Sequence, residues 1–249
     1  MESPQHSNTP PRKSPRPFKG DRELIAEAAK CLRDRDIMIV EYGQQLMHRI
    51  GCPVVLQTVE WIVPDDQLSL ASRTLLDHGF PLAPPSELLA SRGEWETKAL
   101  IHNINGEYYR FPMTIHLYPL SFVGLTLEDT VEVISTFDLN QKILTPKPPN
   151  YMLSLICYLL KCPVGDINRL KVESDLVCFI SYFIFQDSYD YDESQESEED
   201  FQKRVEEAVR SVKSWDWGST EQKHLDIIEA VIRDCRSIDT LSECHSHFI

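Results

Sequence analysis

Residues 41–66, EYGQQLMHRIGCPVVLQTVEWIVPDD, place the tightest constraint on this chain of 249 residues. A short apolar run at 37–40 leads to Glu41, Tyr42 and Gly43. Residues 44–50 then read as a short helix closed by Gly51, and 54–63 as a second strand broken by Pro64. Strand, glycine turn, helix, strand is a local α/β unit. Thr58 and Glu60 stand two apart on the second strand, so their side chains leave the same face. That face carries one carboxylate where a site for divalent metal would carry two.

A hydrophobic content of 42% suffices for one good-sized domain with appendages, or two small ones. The formal charge of −14 argues against a broad basic surface for phosphate backbones, so nucleic acid is not expected as the main partner. Much of that charge is local. Residues 187–200, DSYDYDESQESEED, hold eight acids and no base, which suits a solvated linker whose Ser188, Ser194 and Ser197 sit in acidic context. Seven cysteines, odd in number and mostly in apolar context, read as reduced thiols. The longest apolar stretches, 152–160 and 176–185, are about half of the roughly 20 residues that span a bilayer. No apolar signal region is seen, and the expectation is a cytoplasmic or nuclear protein with no membrane partner.

Three regions emerge. Residues 1–19, rich in proline and basic, lack the apolar side chains to offset ordering. Residues 20–145 read as an α/β core, beginning with an amphipathic helix from Asp21 on Leu24, Ala28 and Leu32. After Pro64 a helix on Leu68, Ala71 and Leu75 stops at Gly79. Residues 95–104 and 108–118 then suggest a hairpin turning at Asn105-Gly106. A short helix capped near Thr126 or Glu128 and a connection to 150 complete this part. Residues 146–249 read as helical, with segments at 151–160, 174–185, 201–212 and 221–235. Ser219 and Gln222 fit a capping box for the last.

The glycine turn opening a helix, the strand with alternate polar residues, and the Ile62-Val63-Pro64-Asp65 run resemble the nucleotidyltransferase superfamily. The resemblance is to its minimal, often degenerate members of fungal type. It implies a small mixed sheet with flanking helices followed by a helical C-terminal half. In that family two aspartates on the strand and a third carboxylate on a later strand hold a divalent metal, which carries a nucleoside triphosphate. Hard oxygen ligands hold magnesium, and the metal stabilises charge on the transferring group. Placed on that pattern, Gly43 matches the first small residue and Gln44 replaces the second. Thr58 and Glu60 stand at the aspartate positions, and His116 takes the third. Arg169, Lys171 and Asp175 resemble a basic-then-acidic helix that follows the sheet in the family. The resemblance thus nominates Gly43, Gln44, Thr58, Glu60, His116 and Lys171 for a nucleotide, and Glu60 with Asp65 or Asp66 for Mg2+.

Each nominee also has a plainer reading. Glu60 suits a solvated strand face, His116 a hydrogen-bonded strand position, Arg110, Arg169 and Lys171 pairing with the many acids, and Asp175 a helix cap. Cys235, Cys244, His245 and His247 lack the paired spacing of a zinc knuckle, and Trp215 and Trp217 suit packing between the last helices. Fingerprints for hydrolases, zincins, P-loops and dinucleotide folds are absent. The expectation is a nucleotidyltransferase-like protein that binds a nucleotide or a protein partner, with little or no transfer activity. An active metal-dependent transferase and a non-catalytic interaction scaffold are the alternatives.

Overall fold

The computed structural model describes residues 20–84, 93–104, 113–187, 191 and 196–234. The proline-rich arm, the Asn105-Gly106 turn, Arg110, Ser188, Ser194, and the C-terminal Cys and His residues lie outside these. No described helix is long and apolar enough to cross a membrane.

The core of the architecture is a mixed six-stranded sheet in the order β3-β4-β2-β1-β6-β5. Its strands are β1 (Val40–Tyr42), β2 (Thr58–Val63), β3 (Leu100–Asn103), β4 (Thr114–Pro119), β5 (Thr130–Ile134) and β6 (Lys142–Pro146). β1 runs antiparallel to β2 and parallel to β6. β2 is parallel to β4, β3 antiparallel to β4, and β5 antiparallel to β6.

Period-two alternation gives β2 two different faces. Val59, Trp61 and Val63 face α1 (Asp21–Arg33) and α3 (Leu68–Asp77), packing with Ile25, Leu32 and Leu75. Glu60 and Ile62 face the other way. There Val40, Tyr42, Ile62 and Tyr118 join a core built with the helical half. That half comprises α6 (Pro148–Lys161), α7 (Ile167–Phe179), α8 (Glu198–Lys213) and α9 (Gln222–Arg233). Fully burying a large apolar side chain stabilises by about 1.5–3 kcal/mol, so each face of the sheet is anchored by burial.

The unit around Gly43 takes the expected order: β1, then α2 (Gly43–Arg49), then β2. Elsewhere the structure corrects the sequence reading. The second strand begins at Thr58 rather than at 54, since β4, its parallel neighbour, starts at Thr114. Residues 95–98 are helical, in α4 (Glu94–Lys98), because that turn buries the Trp95 ring against Tyr42 and Tyr118. The pairing of β3 with β4 is as expected from the hairpin. The short helix expected near Thr126 is present as a single turn at Leu127–Asp129, whereas the stretch before it also holds α5 (Leu120–Val123) and the connection to 150 holds the β5–β6 hairpin. Thr126 and Asp129 form a capping box at that turn. The first helix starts at Asp21 as expected, with Gly20 as its N-cap, and Glu221, not Ser219, is the N-cap of α9. α7 starts seven residues earlier than the apolar run suggested, at Ile167. Asp166 caps it and a π-helical turn at Ile180–Ile184 ends it.

The acidic segment is tied to α8 at its described residues. Arg204 pairs with Asp187 and with Glu196, and lies over the rings of Phe185 and Tyr191. Ser197 caps α8, its hydroxyl accepting from the Asp200 amide at 3.1 Å.

Candidate functional site

Gly43 turns the chain with φ +50°, the left-handed region that favours glycine. A Cβ at this position would lie 1.5 Å from Oε2 of Glu60. The missing side chain is therefore what lets the β2 carboxylate reach the start of α2. There Oε2 accepts a hydrogen bond from the Gln44 amide at 3.0 Å. The Gln44 side chain returns to β2, its Oε1 accepting from the Gln57 and Thr58 amides at 3.2 Å each.

Glu60 is 2% exposed. Its other oxygen, Oε1, lies 3.1 Å from Nζ of Lys171, which reaches down from α7. The same ammonium pairs with Asp175 at 3.0 Å and stands 4.5 Å from the centre of the Trp95 ring. Lys171 and Asp175 are one helical turn apart, which puts both on the face of α7 turned to the sheet. The Lys171 side chain keeps 32% exposure. Burial works against its charge, but Asp175 and Glu60 outweigh burial and hold the ammonium charged beyond its ordinary range. Asp175 shifts upward: burial raises its carboxyl, Lys171 offsets part of the rise, and Glu60 adds to it.

His116 is the Cα partner of Glu60 across the parallel pair. Its Nε2 lies 3.1 Å from Thr114 Oγ1 and its Nδ1 3.2 Å from the Tyr118 hydroxyl, so neighbours on β4 engage both ring nitrogens. Gly43, Gln44, Thr58, Glu60, His116 and Lys171 thus assemble in one place. Asp65 does not join Glu60. Its carboxylate receives the Ser121 amide at 3.1 Å and the Ser121 hydroxyl, fastening the turn after β2 to the start of α5. Arg169 is also structural: its Nη1 donates to the Leu159 and Cys162 carbonyls at 2.7 and 3.0 Å, and its Nε pairs with Glu173.

A second buried network pins α2 from the opposite face of the sheet. Glu41, fully buried, pairs with Arg49 and accepts from Gln45 Nε2 at 3.1 Å. Gln45 Oε1 in turn accepts from Trp61 Nε1 at 2.9 Å. Burial raises the Glu41 carboxyl, and Arg49 offsets part of that rise.

These residues do not fit a divalent cation. Glu60 and Asp175 already flank an ammonium belonging to the chain, Thr58 supplies no carboxylate, and Asp65 is committed to Ser121. Among the described residues no three His, Cys, Asp or Glu side chains group so as to hold a metal. The donor at Gln44 serves Glu60, and the triad of two carboxylates and one ammonium carries net negative charge.

Sequence reasoning missed Trp95, whose ring forms one wall of the Lys171 site, because the residue read as part of a strand. It missed Glu41 as well; a buried acid followed eight residues later by Arg49 was the signal available. A separate groove of about 1230 Å³ runs between α5, the start of α6 and the loop before α9. Phe122, Tyr158, Trp215 and Trp217 line it, together with Lys98 and Lys161. Trp215 and Trp217 therefore border a groove as well as packing beside α8.

No protein-family model and no curated protein matches this chain. Among solved structures it is similar to the antibiotic-resistance factor ANT(2'')-Ia, 9% identical with a TM-score of 0.41, over 91% of this chain and 97% of that one. It is also similar to an antigenic nucleotidyltransferase-like protein from Paracoccidioides brasiliensis, 10% identical with a TM-score of 0.44, over 77% of this chain and 88% of that one. Likeness at this level carries no argument about function.

Proposed function

We propose that this chain is a nucleotidyltransferase-like scaffold whose transfer site has been closed by its own side chains, and that it acts as a binding module for a nucleotide or a protein partner with little or no transfer activity. The observation that carries this reading is the double engagement of Glu60, which receives the Gln44 amide at 3.0 Å and the Lys171 ammonium at 3.1 Å. In-line nucleotidyl transfer needs cationic charge facing the phosphates and backbone donors open to them. In this reading the positions of both are filled from within, the cation by Lys171 and the anion at the helix start by Glu60. The gathering of Gly43, Gln44, Thr58, Glu60 and His116 supports kinship with the superfamily that the sequence resembles. Their chemistry supports loss of the reaction, since the Mg2+ triphosphate implied by that resemblance would have to displace a buried ion pair.

Calorimetry with ATP and the other nucleoside triphosphates, with and without Mg2+ or Mn2+, tests this on the wild type and on Glu60→Ala. The expected result is no metal-dependent binding and no release of pyrophosphate. Metal-dependent binding that disappears in Glu60→Ala, accompanied by turnover, would overturn the reading in favour of an active transferase. Binding of nucleotide without metal would identify the ligand as a nucleotide, and its absence would leave a protein partner.

A further inference from the structure

The groove beside α5 is lined by four aromatic residues, Phe122, Tyr158, Trp215 and Trp217, each half-buried. The rings of Trp215 and Trp217 lie 5.6 Å apart, and Phe122 meets Tyr158 edge to face at 6.0 Å. Phe122 and Tyr158 also pack against Trp95, at 4.8 and 5.4 Å, so this wall is backed by the core and stands preformed. The Trp217 indole N–H donates to the Val212 carbonyl at 2.9 Å, whereas that of Trp215 makes no hydrogen bond among the described residues.

The groove is also acidic on balance, with five acids against three lysines along it. Glu94 and Glu128 are exposed, and among the described residues their carboxylates enter no hydrogen bond or ion pair. Lys147 is turned to the Glu128 backbone carbonyl at 2.7 Å. An aromatic wall with acids beside it matches the chemistry of a basic, proline-rich segment. Proline rings lie on aromatic side chains, the unpaired carbonyls of polyproline II accept from an indole donor, and basic side chains meet the acids. Residues 10–17 of this chain, PPRKSPRP, carry four prolines, three basic side chains and no acid.

We propose that this groove is the docking site of the chain's own N-terminal arm, which enters it in polyproline II form with Pro10 and Pro11 on the aromatic wall and Lys13 beside Glu128. The reach is sufficient. The arm joins α1 at Gly20, and Arg22 in the first turn of α1 donates to the Thr136 and Phe137 carbonyls at 3.2 Å each, just past β5. From there β5 leads back to Asp129 on the groove wall over about 20–25 Å. At about 3.1 Å per residue, the stretch from Gly20 back to Pro10 spans about 30 Å. The acidic segment 187–200 is the rival partner for a basic arm. Its Asp187 and Glu196 are already paired with Arg204, which also covers the Tyr191 ring. The groove offers both unpaired carboxylates and an open aromatic wall.

The test uses the full chain, as an equal mixture of isotopically light and heavy protein, treated with a carbodiimide that joins lysines directly to carboxylates and then mapped by mass spectrometry. The expected result is a Lys13–Glu128 cross-link within one chain, lost in the double variant Pro10→Ala, Pro11→Ala, which keeps every basic residue of the arm. In full chain labelled with 5-fluorotryptophan, the same double variant should move the fluorine resonances of Trp215 and Trp217. It should leave that of Trp61, fully buried in the sheet, unchanged as the control for folding. Lys13 joined chiefly to the acids of 187–200, or a cross-link that survives loss of the two prolines, would overturn the proposal in favour of charge attraction alone. Cross-links between light and heavy chains would overturn it in favour of a second copy's arm. Fluorine resonances of Trp215 and Trp217 that do not respond to the arm would overturn it outright.

Discussion

Glu60 on β2 and Lys171 on α7 are joined by an ion pair of 3.1 Å that spans the sheet and the helical half. It is sealed on the glutamate side and about one-third open on the lysine side. The pair belongs to a buried unit that also takes in the Gln44 amide and Asp175, so changes to one member are felt by the others.

Gly43→Ala should be among the most damaging small substitutions in the chain. The new methyl would stand 1.5 Å from Glu60 Oε2, and the backbone there has φ +50°. The left-handed conformation alone costs about 1–2 kcal/mol, and displacing the paired carboxylate brings the expected loss to about 2–4 kcal/mol. Urea unfolding measures it. In a Glu60→Ala background the same change should cost only the smaller, conformational part; equal costs in the two backgrounds would refute the contact.

Asp175→Asn should change the pH dependence of stability in a defined direction. The Asp175 carboxyl is raised in the folded state above its ordinary 3.8, chiefly by burial. The folded state therefore keeps that proton when the unfolded state has lost it. The stability this group contributes is full below about 3.8 and is lost as pH rises through the folded value. The difference in unfolding free energy between wild type and Asp175→Asn should consequently shift in favour of the variant as pH goes from 3.5 to 7. A difference that stays flat across that range would contradict the assignment.

Arg49→Ala should cost about 3–5 kcal/mol, because it strands the fully buried Glu41 carboxylate. It also frees the Ile134 carbonyl, to which Arg49 donates at 2.8 Å. Pairing the change with Glu41→Gln should restore much of the loss, since the residue left behind is then neutral. The exposed Lys142–Glu132 pair is the internal comparison, and its removal should cost less than about 1 kcal/mol. Chemical denaturation of the three variants checks the ordering.

The contrast between strands shows what was legible. β2 could be read because both its faces are patterned and Pro64 ends it. β5 and β6 could not, because they are five-residue strands at one end of the sheet, with Val131 and Ile134 exposed. Their strand character depends on pairing with each other and with β1, partners that no local pattern specifies. Trp95 was misread for the same kind of reason: an aromatic residue near a strand signals burial, while the element that delivers it depends on the cavity beside Tyr42 and Tyr118.

By itself the sequence determined the local order of β1, the Gly43 turn, α2 and β2, the shared face of Thr58 and Glu60, and the helical character of the second half. These follow from turn chemistry and residue periodicity, which act over a few neighbours. Only the tertiary structure decided what Glu60 does. Its partners are the Gln44 amide, brought close by a glycine without a Cβ, and Lys171, far along the chain. A carboxylate in sequence has the same chemistry whether it faces a metal, water or an ammonium. Which of these it meets is set by packing, and here the packing of α7 over the sheet supplies the ammonium.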